Sequence, residues 1–461
     1  MRRKMELTRV IDKAWRETTR LSRWLAVFAL ANLMIVTALL IALPSTGWRE
    51  VAPYDTASFV AFRMSFDSWE PIREAWVYLQ DPSDKAVYQA VFFGAGTKFQ
   101  YALTSLLPYE VVMLVLPGDE QHFWPLDMVS WFAMWATAGL VAMIFLRSLD
   151  TYAPEYAPRS TAERLLLGAT AAGMTLTFYP LAKAASLGQI QTWINALFAV
   201  LVWLWITRRP VHAGIVGGII CAIKPQLGLL LLWGLLRRQW GFSGAFAATL
   251  GVIGVVTLGL YGLENNLDYL HVLRYISRHG ESYYPNQSIN GLLNRLLDNG
   301  PNRDFDVYAF PPYDRTVYVG TIASSVFIVG AALFWRAGEH QASSAFDLLI
   351  AALSFTIASP VAWEHHYGVL MPMYAMLLPA MLRWPVFGRW SLPVLAASYV
   401  LSSNFFDVAQ EAADTPLLTP VQSYLLVAAF VVLAALYAVR RREADGAGSV
   451  PERTAPAIGV A

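Results

Sequence analysis

The chain has 461 residues, of which 56% are hydrophobic and only 15% charged, and its net charge is +1. Near-neutrality leaves no electrostatic footprint for nucleic acid, and the charged fraction falls well below the ~25% of ordinary soluble domains. The single cysteine, Cys221, excludes an internal disulfide and any cysteine-built zinc or redox centre; inside an apolar run it reads as a small packing residue.

The apolar residues fall into runs of about 17–25 separated by short charged segments, the length that crosses ~30 Å of hydrocarbon. Seventeen Trp and 21 Tyr suit two interfacial aromatic belts. The expected fold class is therefore an all-α polytopic membrane protein. A basic N-terminus, residues 1–23, precedes the first run, Trp24 to Leu43. That run is too long for a signal-peptide core and no small-x-small cleavage site follows, so it reads as a signal anchor with a cytoplasmic N-terminus.

Further spans are expected at Phe123–Leu146, Leu165–Leu181, Thr192–Ile206, Phe246–Tyr261, Val317–Trp335, Ala345–Ile357, Tyr367–Leu382, Leu392–Leu401 and Tyr424–Val439. Between Val211 and Leu236 the apolar run is interrupted by Lys224-Pro225-Gln226. A single crossing there would put Arg208-Arg209 and Arg237-Arg238 on opposite faces. The positive-inside rule favours two short helices in a hairpin, the second opened by Pro225. The sum is about twelve crossings with both termini inside. Arg147, Arg336, Arg383 and Arg440-Arg441-Arg442 then face the cytoplasm together with the two arginine pairs. Residues 24–442 read as one transmembrane domain, and the Gly-, Ala- and Pro-rich tail, 443–461, as disordered and cytoplasmic. The expected location is a bacterial inner membrane, with outer segments at about 44–122 and 263–315.

Polar residues gather at the outer ends of these elements. In the first outer segment Phe59, Phe62, Phe66 and Trp69 recur at helical intervals, which predicts one amphipathic surface helix. Asp55 stands at or just before its start, either as an N-cap or as a carboxylate available for proton transfer. A second amphipathic piece, Phe99 to Leu116, is expected to lie flat; the alternative is a short crossing, which would add one span and break the charge pattern. Tyr179-Pro180 and Ser186-Leu-Gly-Gln-Ile190 form a polar turn in which Gln189 offers a donor and an acceptor. Lys224 is a charge within an apolar hairpin, where it must snorkel, find a partner or bind an anion.

In the second outer segment Asn286, Gln287 and Ser288 cap a predicted helix that carries Asn290 and Arg295, and a helix N-terminus with an arginine suits oxyanions. The segment Ser359 to Tyr367 holds Glu364, His365 and His366. Adjacent helical residues diverge by about 100°, so only one of the two histidines is expected to face a given cavity. The run lacks the i, i+4 spacing of a metal site; no cofactor is expected, and assistance by a divalent metal stays open. A carboxylate, a histidine and cations around one outer cavity suit transfer from a lipid phosphate donor.

The ordered set of Asp55, Ser186-Leu-Gly-Gln, Ala222-Ile-Lys-Pro225, Asn286-Gln-Ser with Gly291 and Arg295, and Ser359-Pro with Trp363 and His365-His366 resembles glycosyltransferase family 87. These are polyprenol-phosphate-dependent, mannosyltransferase-like membrane enzymes. The resemblance implies a GT-C fold and an inverting transfer from a polyprenyl-phosphate-linked sugar, mannose by default, to a lipid or glycan acceptor. It implies Asp55 as catalytic base, with Lys224, Arg295 and His365 or His366 near the donor phosphate; Gln189, Asn286, Gln287 and Glu364 complete the expected binding set. After the Asp this chain reads Thr-Ala-Ser-Phe, where the family tends to an aromatic-rich run. The competing class is a secondary transporter or flippase for a lipid-linked or anionic solute, which also uses broken helices and an embedded lysine.

Overall fold

In hydrocarbon a backbone satisfies its own N–H and C=O groups by forming helices. The computed structural model describes residues 19–42, 51–117, 123–335, 344–406, 409 and 415–447. Among these it holds helices and a single isolated bridge, Asn286 to Trp363, but no strand. The basic N-terminus up to residue 18, Arg336 and the tail beyond Ala447 lie outside the described residues.

In chain order the helices are α1 (Arg20–Ala42), α2 (Ala52–Val60), α3 (Trp69–Gln80), α4 (Val87–Val91), α5 (Leu107–Val115), α6 (Trp124–Tyr152), α7 (Thr161–Leu176), α8 (Tyr179–Ser186) and α9 (Gln191–Ile206). There follow α10 (Pro210–Ile223), α11 (Leu229–Leu236), α12 (Trp240–His279), α13 (Ile289–Leu296), α14 (Arg315–Phe334), α15 (Ala345–Ile357), α16 (Leu370–Arg383), α17 (Ser391–Ser402) and α18 (Tyr424–Ala447).

Among the described residues four helical stretches are long and apolar enough to cross a membrane: Trp124–Tyr152, Trp240–His279, Arg315–Phe334 and Leu418–Asp445. The pair α7 and α8, bent by 58°, makes a fifth if it is one broken span. Length and apolarity therefore do not reach the expected count of about twelve crossings. Several apolar runs are short helices of 13 to 16 residues, about 20–24 Å long and less than the hydrocarbon thickness. One of them, α15, is buried along its whole length. Hydropathy alone does not separate such an enclosed helix from one that faces lipid.

The hairpin expected around Lys224 is present. Gly214 near the start of α10 and Gly234 near the end of α11 both pack against Phe242 of α12, so the two short helices return to one level. Pro225 opens the 3-10 turn Pro225–Gly228 that leads into α11, and Lys224 marks the tip.

Four segments depart from expectation. The predicted amphipathic helix through Phe59 and Trp69 is broken: α2 ends at Val60, Phe62 takes a positive φ of 56°, and α3 begins only at Trp69. The run Leu165–Leu181 breaks after Leu176, because Pro180 lies in the first turn of a new helix, where its missing N–H is tolerated. Helix α12 continues past Tyr261 to His279, bending at Gly262 (φ 75°), so the second outer segment begins as helix. Helix α18 runs on to Ala447, into the stretch expected to be disordered, and Glu443 accepts hydrogen bonds there from Tyr152 (3.3 Å) and Ser344 (2.6 Å).

Charge separates the two ends of the bundle. At one end Arg164 pairs with Asp150 at 2.8 Å, and Asp347 binds Arg237 at 2.7 Å and Arg440 at 2.6 Å. The backbone N–H of Thr19, just before α1, donates to Glu163 at this same end, and Trp384, next to Arg383, packs on Tyr152. Arg237, Arg440 and Arg383, which the sequence assigns to one face, thus share one end of the molecule. The outer-segment residues collect at the other.

Candidate active site

Helix α8 organises the site. Tyr179, Lys183 and Ser186 are spaced i, i+4 and i+7 and so share one face. The Tyr179 hydroxyl donates to Glu364 Oε1 at 2.6 Å, and Ser186 Oγ donates to Asp55 Oδ1 at 2.6 Å. Lys183 lies within electrostatic reach of Asp67 and His365. One short helix face therefore connects the first outer segment with the histidine segment.

Asp55 is buried, with 3% of its surface exposed. It does not cap its helix: the N-cap is Val51, and Asp55 sits inside the first turn of α2. From there its carboxylate crosses to α8 rather than serving its own backbone. A hydrogen bond to a charged oxygen is among the stronger kind, and it fixes the direction of the carboxylate.

The turn after α8 explains why the first segment is extended between α2 and α3. Ser65 N–H donates to Ser186 O at 2.8 Å and Asp67 N–H to Leu187 O at 3.0 Å. Gly188 adopts φ 65°, and a Cβ there would run into the Ser65 carbonyl, so both conformation and close approach require glycine. Gln189 is absorbed into this junction. Its Oε1 accepts from Ser68 (2.8 Å) and Tyr101 (3.3 Å), and its Nε2 donates to Asp67. Desolvation pushes the Asp67 carboxyl above its usual value, against the Gln189 hydrogen bond and the Lys183 ammonium, which lower it. Gln189, expected in the binding set, thus joins two segments here.

At the hairpin tip Lys224 Nζ donates to Gln191 Oε1 at 2.6 Å, and Gln191 Nε2 donates to Asn195 Oδ1 at 2.9 Å. Thr104 of the first outer segment donates to Ala222 O beside the tip. Lys224 is within electrostatic reach of both His365 and His366. The two imidazoles stand almost perpendicular, at 85° with centroids 4.8 Å apart. His365 is buried, while His366 keeps part of its surface accessible. Around this tip Thr192 Oγ1, Asn195 Nδ2 and His366 Nδ1 are buried with no hydrogen-bond partner. Buried polar atoms are normally paired, so orphaned ones beside a lysine mark a place suited to a polar ligand.

Arg295, Asn286 and Gln287, expected near the donor, are held by backbone and side-chain partners in this structure. Arg295 is fully buried; its Nη1 faces the carbonyls of Ser282, Tyr283 and Asn286, and its Nη2 donates to Ser423 at 2.7 Å. Asn286 donates to the carbonyls of Glu281 and Pro360 and accepts from Ala362 N–H. Gln287 donates to the carbonyls of Tyr284 and Gln422. Asn286 fastens the second outer segment to the loop that presents Trp363 to His366, while Gln287 and Arg295 fasten it to residues 422 and 423. Ser288 caps α13 as expected, accepting from Gly291 N–H at 3.0 Å. Among the described residues no three His, Cys, Asp or Glu side chains converge as a metal site would require.

The family model for glycosyltransferase family 87 matches residues 101–360. The chain belongs to glycosyltransferase family 87. As a member it is a membrane glycosyltransferase, which displaces the transporter reading. It is similar to the polyprenol-phosphate-mannose-dependent alpha-(1-2)-phosphatidylinositol pentamannoside mannosyltransferase of Mycobacterium tuberculosis (strain CDC 1551 / Oshkosh), with 24% identity over 66% of this chain and 69% of that one. It is likewise similar to the polyprenol-phosphate-mannose-dependent alpha-(1-2)-phosphatidylinositol mannoside mannosyltransferase of Mycobacterium tuberculosis (strain ATCC 25618 / H37Rv), with 24% identity over 80% of this chain and 81% of that one. No solved structure gives a significant match.

The residues matched to family 87 include α8 and Lys224, whereas Asp55 and Glu364 to His366 lie outside them. Lys183, Asp67 and Gln191 belong to the site without having been singled out in the sequence. Lys183 had a signal, a lysine three residues before Ser186 in an apolar stretch. Asp67 and Gln191 are recognisable only through partners distant in sequence.

Proposed function

We propose that this enzyme moves a mannosyl group from a polyprenyl-phosphate donor to a hydroxyl of a lipid-linked or glycan acceptor, inverting at the anomeric carbon. Both relatives are described as polyprenol-phosphate-mannose-dependent and as acting on phosphatidylinositol mannosides. The observation that carries the reading is the shared face of α8. It holds Asp55 through Ser186, while Lys183 of the same face lies near His365.

In the proposed step the acceptor oxygen attacks the anomeric carbon as the bond from that carbon to the phosphate oxygen breaks. Asp55 takes the acceptor proton as general base. The electron pair leaves on the polyprenyl phosphate, whose growing charge is met by Lys183, Lys224 and the imidazole of His365 or His366. Glu364, through Tyr179, keeps the histidine segment registered on α8. No cofactor enters this step.

The same reading takes the fold as GT-C and the arginine-rich end as cytoplasmic. The site then opens on the outer face of a bacterial inner membrane, where lipid-linked rather than nucleotide-linked sugars serve as donors. The test is transfer by the purified protein in lipid, offered polyprenyl-phosphate mannose or a nucleotide-linked mannose with a phosphatidylinositol mannoside acceptor. Transfer from the polyprenyl donor alone is expected; transfer from the nucleotide sugar contradicts the proposal.

A further inference from the structure

Three aromatic rings from separate stretches meet at the outer edge of the site. Tyr283 and Phe305 are 5.7 Å apart, Phe305 and Trp363 5.6 Å, and Tyr283 and Trp363 6.3 Å, all tilted or edge-on. Trp363 directly precedes Glu364, and its backbone bridges to Asn286. Phe305 belongs to the loop between α13 and α14. Lys98 secures that loop: its Nζ pairs with Glu281 at 3.0 Å and lies 4.3 Å from the centroids of both Phe305 and Phe310.

These rings are not closed into the core. Phe305 is 39% exposed, and Tyr283 and Trp363 are half-buried. Inward from them the aromatic row continues through Tyr284 and Phe405 to Tyr179, with centroids 5.3, 5.8 and 5.4 Å apart at each step. All three inner rings are buried, and Tyr179 stands on the face of α8 that carries Lys183 and Ser186. The row therefore runs from the outer surface to the site of the proposed transfer.

We propose that Tyr283, Phe305 and Trp363 form an acceptor subsite, a stacking platform for a pyranose ring of the acceptor's glycan. This rests on the proposed transfer. The C–H bonds on a sugar face carry partial positive charge and lie well against the electron-rich face of an aromatic ring. Rings with one apolar side and one wet side are the form such a contact takes at a water-facing edge. The cation nearest the platform, Lys98, is already neutralised by Glu281. The platform thus suits a neutral ring, whereas the anionic head of the donor suits the lysines and histidines deeper in.

The experiment measures initial rates with the full chain in lipid, polyprenyl-phosphate mannose as donor, and varied phosphatidylinositol mannoside. Phe305→Leu keeps an apolar side chain and removes the ring; Phe305→Tyr keeps the ring. The Leu variant is expected to raise the acceptor KM about three- to tenfold, as the loss of one aromatic contact implies, with donor KM unchanged and the Tyr variant close to wild type. An unchanged acceptor KM in Phe305→Leu, or a rise in donor KM instead, overturns the subsite while leaving the transferase reading intact. Absence of any transfer by the wild type overturns the transferase reading and the subsite with it.

Discussion

Ser186 holds the carboxylate of Asp55 from one side, and the consequence is specific to the chemical step. Removing the hydroxyl in Ser186→Ala forfeits a hydrogen bond to a charged group, worth ~1.5–3 kcal/mol, so kcat should fall about ten- to hundredfold. The donor KM should stay near its wild-type value, because Ser186 positions the base and does not hold the phosphate. Steady-state rates at varied donor concentration decide this, and an unchanged kcat would mean that Asp55 needs no such support. At this scale the sequence was informative about residue types and much less about partners. Asp55, Lys224, Glu364 and His365 stand out as polar groups among apolar ones. Arg295, Asn286 and Gln287 stand out equally, yet they bind the backbone carbonyls of residues 282–286, 360 and 422. No local pattern shows in advance that an arginine will hold carbonyls distant from it in sequence.

Between elements, the hairpin at Lys224 was legible because a rule about charge, independent of helix propensity, ruled out the single crossing. The break after Val60 was not, since the segment between α2 and α3 depends on pairing with residues 186 and 187, far away in sequence. At the opposite end of the bundle Asp347 ties three helices together. It accepts from Trp233 Nε1 (2.9 Å) and Arg237 Nε (2.7 Å) of the α11 end and from Arg440 Nη1 (2.6 Å) of α18, all fully buried or nearly so. Asp347→Ala leaves two guanidinium groups buried without their counter-ion, a loss of the order of ~3–5 kcal/mol. The expected result is a clear drop in thermal unfolding temperature in detergent, with the kcat of the surviving folded enzyme unchanged. An unaltered unfolding temperature would show that the clamp contributes nothing net.

For the molecule as a whole, polarity is the organising fact. Asp347 with Arg237 and Arg440, and Asp150 with Arg164, occupy one end, while the carboxylate, lysines and histidines of the candidate site collect on α8, the hairpin tip and the loop before α16. The grouping of Arg237, Arg383 and Arg440 was readable from the sequence, because the positive-inside rule assigns them to one face. The number of crossings was not, because an enclosed helix such as α15 is as apolar as one facing lipid. The central claim is that Asp55 is the base of a transfer from a lipid phosphate donor. It is tested most directly by comparing wild type and Asp55→Asn in lipid for mannosyl transfer and, separately, for binding of the polyprenyl-phosphate donor. The amide variant is expected to bind donor as wild type does and to transfer at least about a hundredfold more slowly, as loss of a general base implies. Transfer at the wild-type rate by Asp55→Asn would contradict the claim.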